Sequence, residues 1–294
     1  MPKIYKIMFI VSLALVVISL VAFAVYGLRL GVDFTGGSLV DLTFKGDRPD
    51  VGNIRKTIEI MPGITDLSAS LAGDKGVILK MGKIDNNAAN QIVSGLSQKF
   101  GEVTLNRLDT IEPSIGSELK VKSFEALLIL FIAIVIYISF VFRKMSAVIS
   151  PWVMGMASII ALFHDVIIPV GIFSLLTHFL GIEIGAIFVA AALTIVGFSV
   201  SDTVIVFDRT RENVLRFGSR EEFGAVVHKS ILQTLTRSIN TIITVLLSLF
   251  AIYFFGGETT RYFSLALILG IGLGAYSSIF VASPILVWFG RRRK

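Results

Sequence analysis

Two aspartates close to the end of an apolar stretch are the first candidates for chemistry. The run from Ser199 to Glu212 reads SVSDTVIVFDRTRE, with Asp202 inside its apolar part and Asp208 at its end. A carboxylate within a membrane-spanning helix costs about 2.5–3.5 kcal/mol and usually faces a bundle interior or a water path. Because Asp202 has no basic residue one helical turn away, we favour a functional role over a purely structural one, and our hypothesis is that it alternates between charged and protonated states.

Asp208 and the adjacent Arg209 have two interpretations. Asp208 and Arg211 are three residues apart, as are Arg209 and Glu212, which is the spacing of ordinary ion pairs at a helix surface. Asp208 and Arg209 therefore either belong to a proton-coupling site or simply pair at the membrane surface. The two aspartates are predicted on different faces of this helix, because successive residues are rotated by about 100°. Asp208 shares its face with Thr194, Gly197 and Ser201, whereas Asp202 does not.

A polar stripe in a later apolar segment is the candidate partner of Asp202. Its members follow helical spacing over three turns and are Arg237, Asn240, Thr241, Thr244 and Ser248. We predict that Arg237, Asn240 and Thr244 line a hydrated path and that Arg237 pairs with Asp202. The alternative is that the stripe only bonds neighbouring helices.

Two further polar features lie in other apolar segments. His164 and Asp165 precede Pro169, and this pair either relays protons or braces a bend. We place it in the outer half of its span. Gly270, Gly274 and Ser278 are four residues apart, and this spacing of small residues predicts close helix packing.

Composition excludes most enzymatic and nucleic-acid functions. There are no cysteines, and the three histidines are far apart, so we expect no metal site and no cofactor. The GVILKMGKI segment at 76–84 lacks the spacing and the Ser or Thr of a phosphate loop, so ATP binding is not expected. The net charge of +6 is concentrated at the ends of apolar segments, which argues against nucleic-acid binding.

The elements that carry these residues are membrane spans. Hydrophobic residues make up 54% of the 294 residues and charged residues only 16%, and a bilayer-spanning helix needs about 20 apolar residues. Six segments qualify: Ile4–Tyr26, Phe124–Phe142, Ala147–Leu176, Ile184–Phe207, Ser238–Phe255 and Phe263–Phe289. The first also resembles a signal peptide with an Ala-Phe-Ala cleavage site, but its apolar run is longer than usual, so we predict a retained span.

Lys and Arg in the short loops predict the orientation. Basic residues cluster before span one, between spans two and three, between spans four and five, and after span six. The residues concerned are Lys3, Lys6, Arg143, Lys144, Arg209, Arg211, Arg216, Arg220, Lys229, Arg237 and 291–294. The opposite short loops hold only Arg261. Both termini are therefore expected in the cytoplasm.

The segment between spans one and two is predicted to fold outside the membrane. Its elements are the strand Ser38–Lys45, the helix Pro49–Met61, the strands Asp66–Ala72 and Val77–Met81, the helix Asp85–Phe100 and the strand Val103–Ile111. This βαββαβ order is the ferredoxin-like motif. We thus divide the chain into a first helix at 1–28, an exported α+β domain at 29–122, and a five-helix membrane domain at 123–294 with a cytoplasmic basic loop at 208–237.

Three motifs resemble signatures of the SecF subunit family of the SecDF protein-translocation complex. GVDFTGG follows span one and comprises Gly31, Asp33, Phe34, Gly36 and Gly37 with the intervening residues. The second motif, at 115–119, reads IGSEL, and the third is the run that contains Asp202 and Asp208. The residues at 109–114, DTIEPS, depart from the Gly-Pro element that the family leads us to expect.

The resemblance implies a role in protein export. Members of this family belong with the resistance-nodulation-division transporters and work with SecD at the SecYEG channel on translocating preproteins. They reside in the cell inner (cytoplasmic) membrane and draw on the proton-motive force. From the residues alone sodium remains an alternative ion, because the oxygens of Asp, Thr and Ser suit either ion. By resemblance, Asp202 and Arg237 match the acidic residue and the arginine implicated in proton use, and Asp208 and Arg209 match a DR pair.

Two other functions remain open from the sequence. The first alternative to proton-driven export is a scaffold that stabilises SecD and the channel without transporting ions. The second is half of a small-molecule or lipid exporter of the same superfamily. The exported domain is small and poor in aromatic residues, which argues against an enclosed drug pocket. No nucleophile with a matching base stands out, and we therefore do not expect an enzyme.

Overall fold

The architecture comes from a computed structural model that describes residues 1–146, 149–217 and 221–290. Three sequence assignments lie outside these residues: the start of span three at Ala147, the basic residue Arg220, and the basic cluster at 291–294.

Six helices of the described residues are long and apolar enough to cross a membrane, which confirms a polytopic membrane protein. Spans one to five are α1 (Lys3–Tyr26), α5 (Pro113–Val141), α6 (Pro151–Leu180), α7 (Ala186–Phe217) and α8 (Phe223–Phe255). Span six consists of α9 (Glu258–Ser277), a π-helical turn (Ser278–Ala282) and α10 (Ser283–Gly290). The sheet domain lies at one end of the bundle, and the opposite end is called the far side below.

Several spans differ from the sequence prediction because the helices continue beyond the apolar runs. Span four extends ten residues past the expected end at Phe207, and span five begins at Phe223 rather than Ser238. The added part of span five is amphipathic and buries Val226, Val227 and Ile231, so packing compensates for its polar face. Span three begins at Pro151, which is suited to a first helical turn.

The bundle is built around spans three, four and six, each about half buried, whereas spans one, two and five lie at the periphery. Span one packs along span three, where a side chain on Gly171 would lie within 2.4 Å of Ser19. This close fit places span one directly against span three.

The sheet domain has the predicted ferredoxin-like order. The helix α2 (Val32–Thr35) precedes β1 (Gly37–Phe44), α3 (Val51–Glu59), β2 (Ser68–Ala72), β3 (Gly76–Met81), α4 (Asn86–Phe100) and β4 (Val103–Ile111). The four strands form an antiparallel sheet in the order β2-β3-β1-β4.

Side chains alternate between the two faces of β1, and the apolar ones lie on the face that the helices cover. Val40, Leu42 and Phe44 point to one face and are buried with residues of α3 and α4 such as Ile54 and Ile92. The ends of α4 follow the sequence signals: the Asp85 carboxylate accepts a hydrogen bond from the Ala88 amide at 2.8 Å, and Gly101 ends the helix with φ of 89°.

Candidate functional site

Asp202 is buried midway along span four and is held by serine hydroxyls from two other spans. Ser238 of span five donates a hydrogen bond to Asp202 Oδ1 at 2.5 Å, and Ser278 of span six donates to Oδ2 at 2.7 Å. Asp202 is only 6% exposed. The carboxylate therefore has two neutral donors, and the described residues place no cation against it.

Arg237, the expected partner of Asp202, lies elsewhere. Its side chain is exposed, and the structure brings the next residue, Ser238, to the carboxylate instead. Asn240 and Thr244 of the same stripe are exposed as well. The hydroxyls of this stripe donate to carbonyls four residues earlier in their own helix, as Thr244 does to Asn240 at 2.8 Å. The stripe therefore forms no polar contacts with the rest of the described chain.

A second buried carboxylate belongs to Asp165, at the middle of span three. This position corrects the outer-half placement, because the helix extends to Leu180. Asp165 Oδ1 lies 2.8 Å from His164 Nδ1, and Oδ2 accepts hydrogen bonds from Ser199 at 2.5 Å and from Ser277 at 2.6 Å. Both oxygens thus have partners, which is required of a buried carboxylate.

The His164 ring connects Asp165 to span one through Tyr276. The two rings stack with centroids 5.9 Å apart. The Tyr276 hydroxyl donates to the Met8 carbonyl at 2.7 Å and accepts from Ser12 at 3.1 Å. His164 Nε2 has no hydrogen-bond partner among the residues that the structure describes. It is therefore a buried atom that a proton or a polar group can still engage.

The polar residues that follow Phe207 in span four form the surface pairs proposed from their spacing. Arg211 contacts the Asp208 carboxylate at 2.7 Å, and Arg209 contacts Glu212 at 2.5 Å. Asp208 is exposed and separated from the buried carboxylates. The two ion pairs lie on the far side of the bundle, where each joins one arginine to one carboxylate.

The predicted packing stripe of span six lies against span four. A side chain on Gly270 would lie within 2.3 Å of Ile195, and one on Gly274 within 3.1 Å of Ser199. Ser278 continues this stripe and also bonds Asp202. Sequence reasoning missed Ser199, Ser238 and Ser277, although Ser199 precedes Asp202 by three residues, which places both on one helix face.

The GVDFTGG motif forms a junction between the sheet domain and span four. The Asp33 carboxylate accepts a hydrogen bond at 2.7 Å from the amide of Ala186, the first residue of span four. Gly31 donates to the Ile184 carbonyl at 2.9 Å, and Ile184 donates to the Arg29 carbonyl at 2.8 Å. Asp33 therefore satisfies one of the free amides at the start of a membrane span.

The two final glycines of the motif are required by the junction's geometry. Gly36 has φ of 74°, and a side chain there would lie 2.6 Å from Pro113 at the start of span two. Gly37 has φ of 128° and faces the Met81 carbonyl, 2.4 Å from where a Cβ would sit. Phe34 of the same motif is also buried. These positive φ values and close approaches exclude larger residues.

Two ion pairs also connect the sheet domain to the bundle. Lys80 of β3 contacts Glu183, in the loop before span four, at 3.0 Å. Lys83 contacts Glu112, just before span two, at 2.6 Å. The hydrogen bond and the positive charge of Lys83 lower the pKa of Glu112. The sheet domain is thus attached to the starts of both spans.

Two family models match the chain at the regions just described. The model for "Protein export membrane protein SecD/SecF, C-terminal" matches residues 92–292. The model for the "SecD/SecF GG Motif" matches residues 21–47, which contain Asp33 and the junction glycines.

Curated proteins named "Protein translocase subunit SecF" are similar over nearly the whole chain. The protein from Thermobaculum terrenum is 38% identical over 95% of this chain and 90% of its own length. The protein from Anaerolinea thermophila is 36% identical over 97% of this chain and 95% of its own length.

A solved structure has the same fold. The crystal structure of SecDF from Thermus thermophilus, described as a translocon-associated membrane protein, matches with a TM-score of 0.85 and 30% identity. The match covers 98% of this chain but only 38% of that longer chain.

Proposed function

The chain belongs to the SecF family of protein translocase subunits, which act in Sec protein translocation, and we propose that it couples proton movement to late preprotein translocation and release. A proton binds a carboxylate oxygen of Asp202, neutralises its charge, and later leaves from the same oxygen. The driving force in this proposal is the proton-motive force, and the work is done on the polypeptide at the outer face of the membrane.

The observation that carries the proposal is the environment of Asp202. An ionised carboxylate in an apolar interior is costly unless a cation pairs with it. Asp202 is buried at mid-helix, and its partners are the uncharged hydroxyls of Ser238 and Ser278. Protonation removes the cost of burying the charge, and in our proposal this is the change of state that drives the cycle.

The exposed polar faces of spans four and five support an interface with SecD. Polar side chains within a bilayer usually face protein or water rather than lipid. Thr194, Ser201, Arg237, Asn240 and Thr244 are all exposed on this chain. In our proposal SecD covers these faces, and Arg237 approaches the proton path only in that complex.

The junction at Asp33 supports a mechanical route from the proton site to the sheet domain. Asp202 and Ala186 lie on the same continuous helix, and Asp33 holds the Ala186 amide. Lys80 and Glu183 add a second connection. A shift of span four that follows a charge change at Asp202 is therefore transmitted to the sheet domain in this proposal.

The distribution of basic residues supports a location in the inner membrane with the sheet domain outside. Arg143, Arg209, Arg211 and Arg216 belong to the far side, which the positive-inside rule assigns to the cytoplasm. Both termini are then cytoplasmic. The sheet domain meets the emerging preprotein, and the membrane domain lies beside the SecYEG channel.

The test is preprotein translocation in vesicles with an imposed proton gradient, using the complex with SecD. We expect Asp202→Asn to abolish the gradient-dependent part of translocation at equal assembled levels. Glu125→Gln is the control, because Glu125 is an exposed carboxyl of span two that pairs with Lys122. It should leave the gradient response intact.

Other outcomes identify the alternatives. An unchanged gradient response in Asp202→Asn would refute the proposal and favour a scaffold that stabilises SecD and the channel. If a sodium gradient alone drives translocation in the wild type and Asp202→Asn abolishes that response, the coupling ion is sodium and the proton step is wrong.

A further inference from the structure

A π-helical turn interrupts span six beside both buried carboxylates. The turn covers Ser278–Ala282, between α9 and α10. A side-chain hydrogen bond stabilises this wider turn, because the Ser283 hydroxyl donates to the Ser278 carbonyl at 2.7 Å. Turns of this type are rare, appear mostly as single turns within α-helices, and are frequent at functional sites.

The two serines at the start of this turn contact different carboxylates. Ser277, the last residue of α9, donates to Asp165 Oδ2 at 2.6 Å, and Ser278 donates to Asp202 Oδ2 at 2.7 Å. Consecutive helical residues point about 100° apart, so the pair reaches span three on one side and span four on the other. Both serines are fully buried.

Span four completes a closed set of contacts. Ser199 donates to Asp165 Oδ2, the oxygen that Ser277 also contacts, and Asp202 lies one turn further along the same helix. A single peptide unit joins Ser277 to Ser278. A rotation or shift of span six at this point therefore changes the contacts of both carboxylates together.

We propose that Ser277 and Ser278 are positioning residues that make Asp165 and Asp202 one coupled unit, with the π-helical turn as the element that moves. This inference rests on the proposed proton-coupling function. A charged Asp202 accepts a hydrogen bond from Ser278. A protonated Asp202 carries a donor of its own, which the Ser278 oxygen can accept. The reorganised turn then alters the contact between Ser277 and Asp165.

Few other ionisable groups face the pair. His164 contacts Asp165, and the Tyr276 ring stacks on His164. Arg237 precedes Ser238 on span five but is exposed. Within the described residues, two routes therefore join the two carboxylates: the serine hydroxyls with the peptide that joins Ser277 to Ser278, and the turn of span four from Ser199 to Asp202.

The test is an infrared pH titration of protonated carboxyl groups in the purified complex with SecD, which needs no transport activity. The Asp202 band is the one that disappears in Asp202→Asn. We expect Ser278→Ala to shift its midpoint by about one to two pH units. Ser264→Ala removes an equally buried hydroxyl of span six that bonds only its own backbone, and it should cause no shift.

The decisive comparison uses Asp165→Asn in two backgrounds. With both serines present, this change should shift the Asp202 midpoint. With Ser277→Ala and Ser278→Ala together, the shift should fall to the smaller part that Ser199 and the direct charge interaction carry, and threonine at both positions should restore the full shift.

An equal shift in both backgrounds, or none in either, overturns the inference while leaving the role of Asp202 intact. If no band disappears in Asp202→Asn, Asp202 binds no proton, and the proposed function fails as well.

Discussion

Removal of the Asp33 carboxylate should loosen the start of span four. The carboxylate accepts the Ala186 amide at 2.7 Å, at a helix end where the first amides have no partner within the helix. A lost capping side chain costs about 0.5–2 kcal/mol, and a negative charge at this end adds about 0.3–1 kcal/mol. We therefore expect Asp33→Ala to destabilise the first turn of span four by about 1–2 kcal/mol.

Hydrogen exchange, followed by mass spectrometry on the complex with SecD, measures this destabilisation of the first turn of span four. A loss of about 1–2 kcal/mol raises the population of the opened turn roughly 5- to 30-fold. Peptides that cover 182–190 should exchange faster by that factor, whereas peptides from the middle of span four, around Asp202, should exchange at the wild-type rate.

Two variants control this measurement. Asp33→Asn keeps a side-chain oxygen that can accept the Ala186 amide, so it should retain most of the protection. Asp109→Ala removes a carboxyl of the same domain that pairs with Arg107, away from span four. If Asp33→Ala exchanges like the wild type at 182–190, Asp33 does not cap span four, and the mechanical route proposed through it is wrong.

Two further predictions concern packing and pH. Gly270→Ala places a Cβ within 2.3 Å of Ile195 and should destabilise the protein by about 1–3 kcal/mol. Gly272→Ala is the control and should be neutral, because no atom lies within 4 Å of the Cβ that it adds. Equal melting temperatures of the two variants in detergent would contradict this prediction. Because Lys83 lowers the pKa of Glu112, their pair should stabilise the fold above the ordinary pKa of 4.5 and lose that effect as pH falls through the lowered value. The melting-temperature difference between wild type and Lys83→Met should therefore shrink on acidification, and a difference that grows would refute the assignment.

Local signals in the sequence were sufficient to predict which helices and strands make up the fold. The six apolar runs predicted six spans, and alternation in β1 predicted its buried face, because length, hydropathy and periodicity act within one segment. The same holds for Asp85, whose cap involves an amide only three residues away. The ends of spans four and five were wrong, because a polar helix that continues beyond an apolar run depends on packing partners elsewhere in the chain.

The candidate site was only partly predictable. Asp202 and Asp165 stood out as carboxylates in apolar segments, which is a property of composition alone. Their partners did not, because a change of one residue on a helix rotates the side chain by about 100°. That rotation brings Ser238 rather than Arg237 to Asp202.

The junction shows the same division over a longer distance. The motif GVDFTGG was evident from the sequence, but the contact between Asp33 and Ala186 joins residues 153 positions apart. Sequence by itself determined which segments span the membrane, which segment forms the sheet domain, and which residues carry charge inside the bundle. The tertiary structure alone decided which groups those charges meet, since the rotation and depth of each helix are set by the packing of all the others.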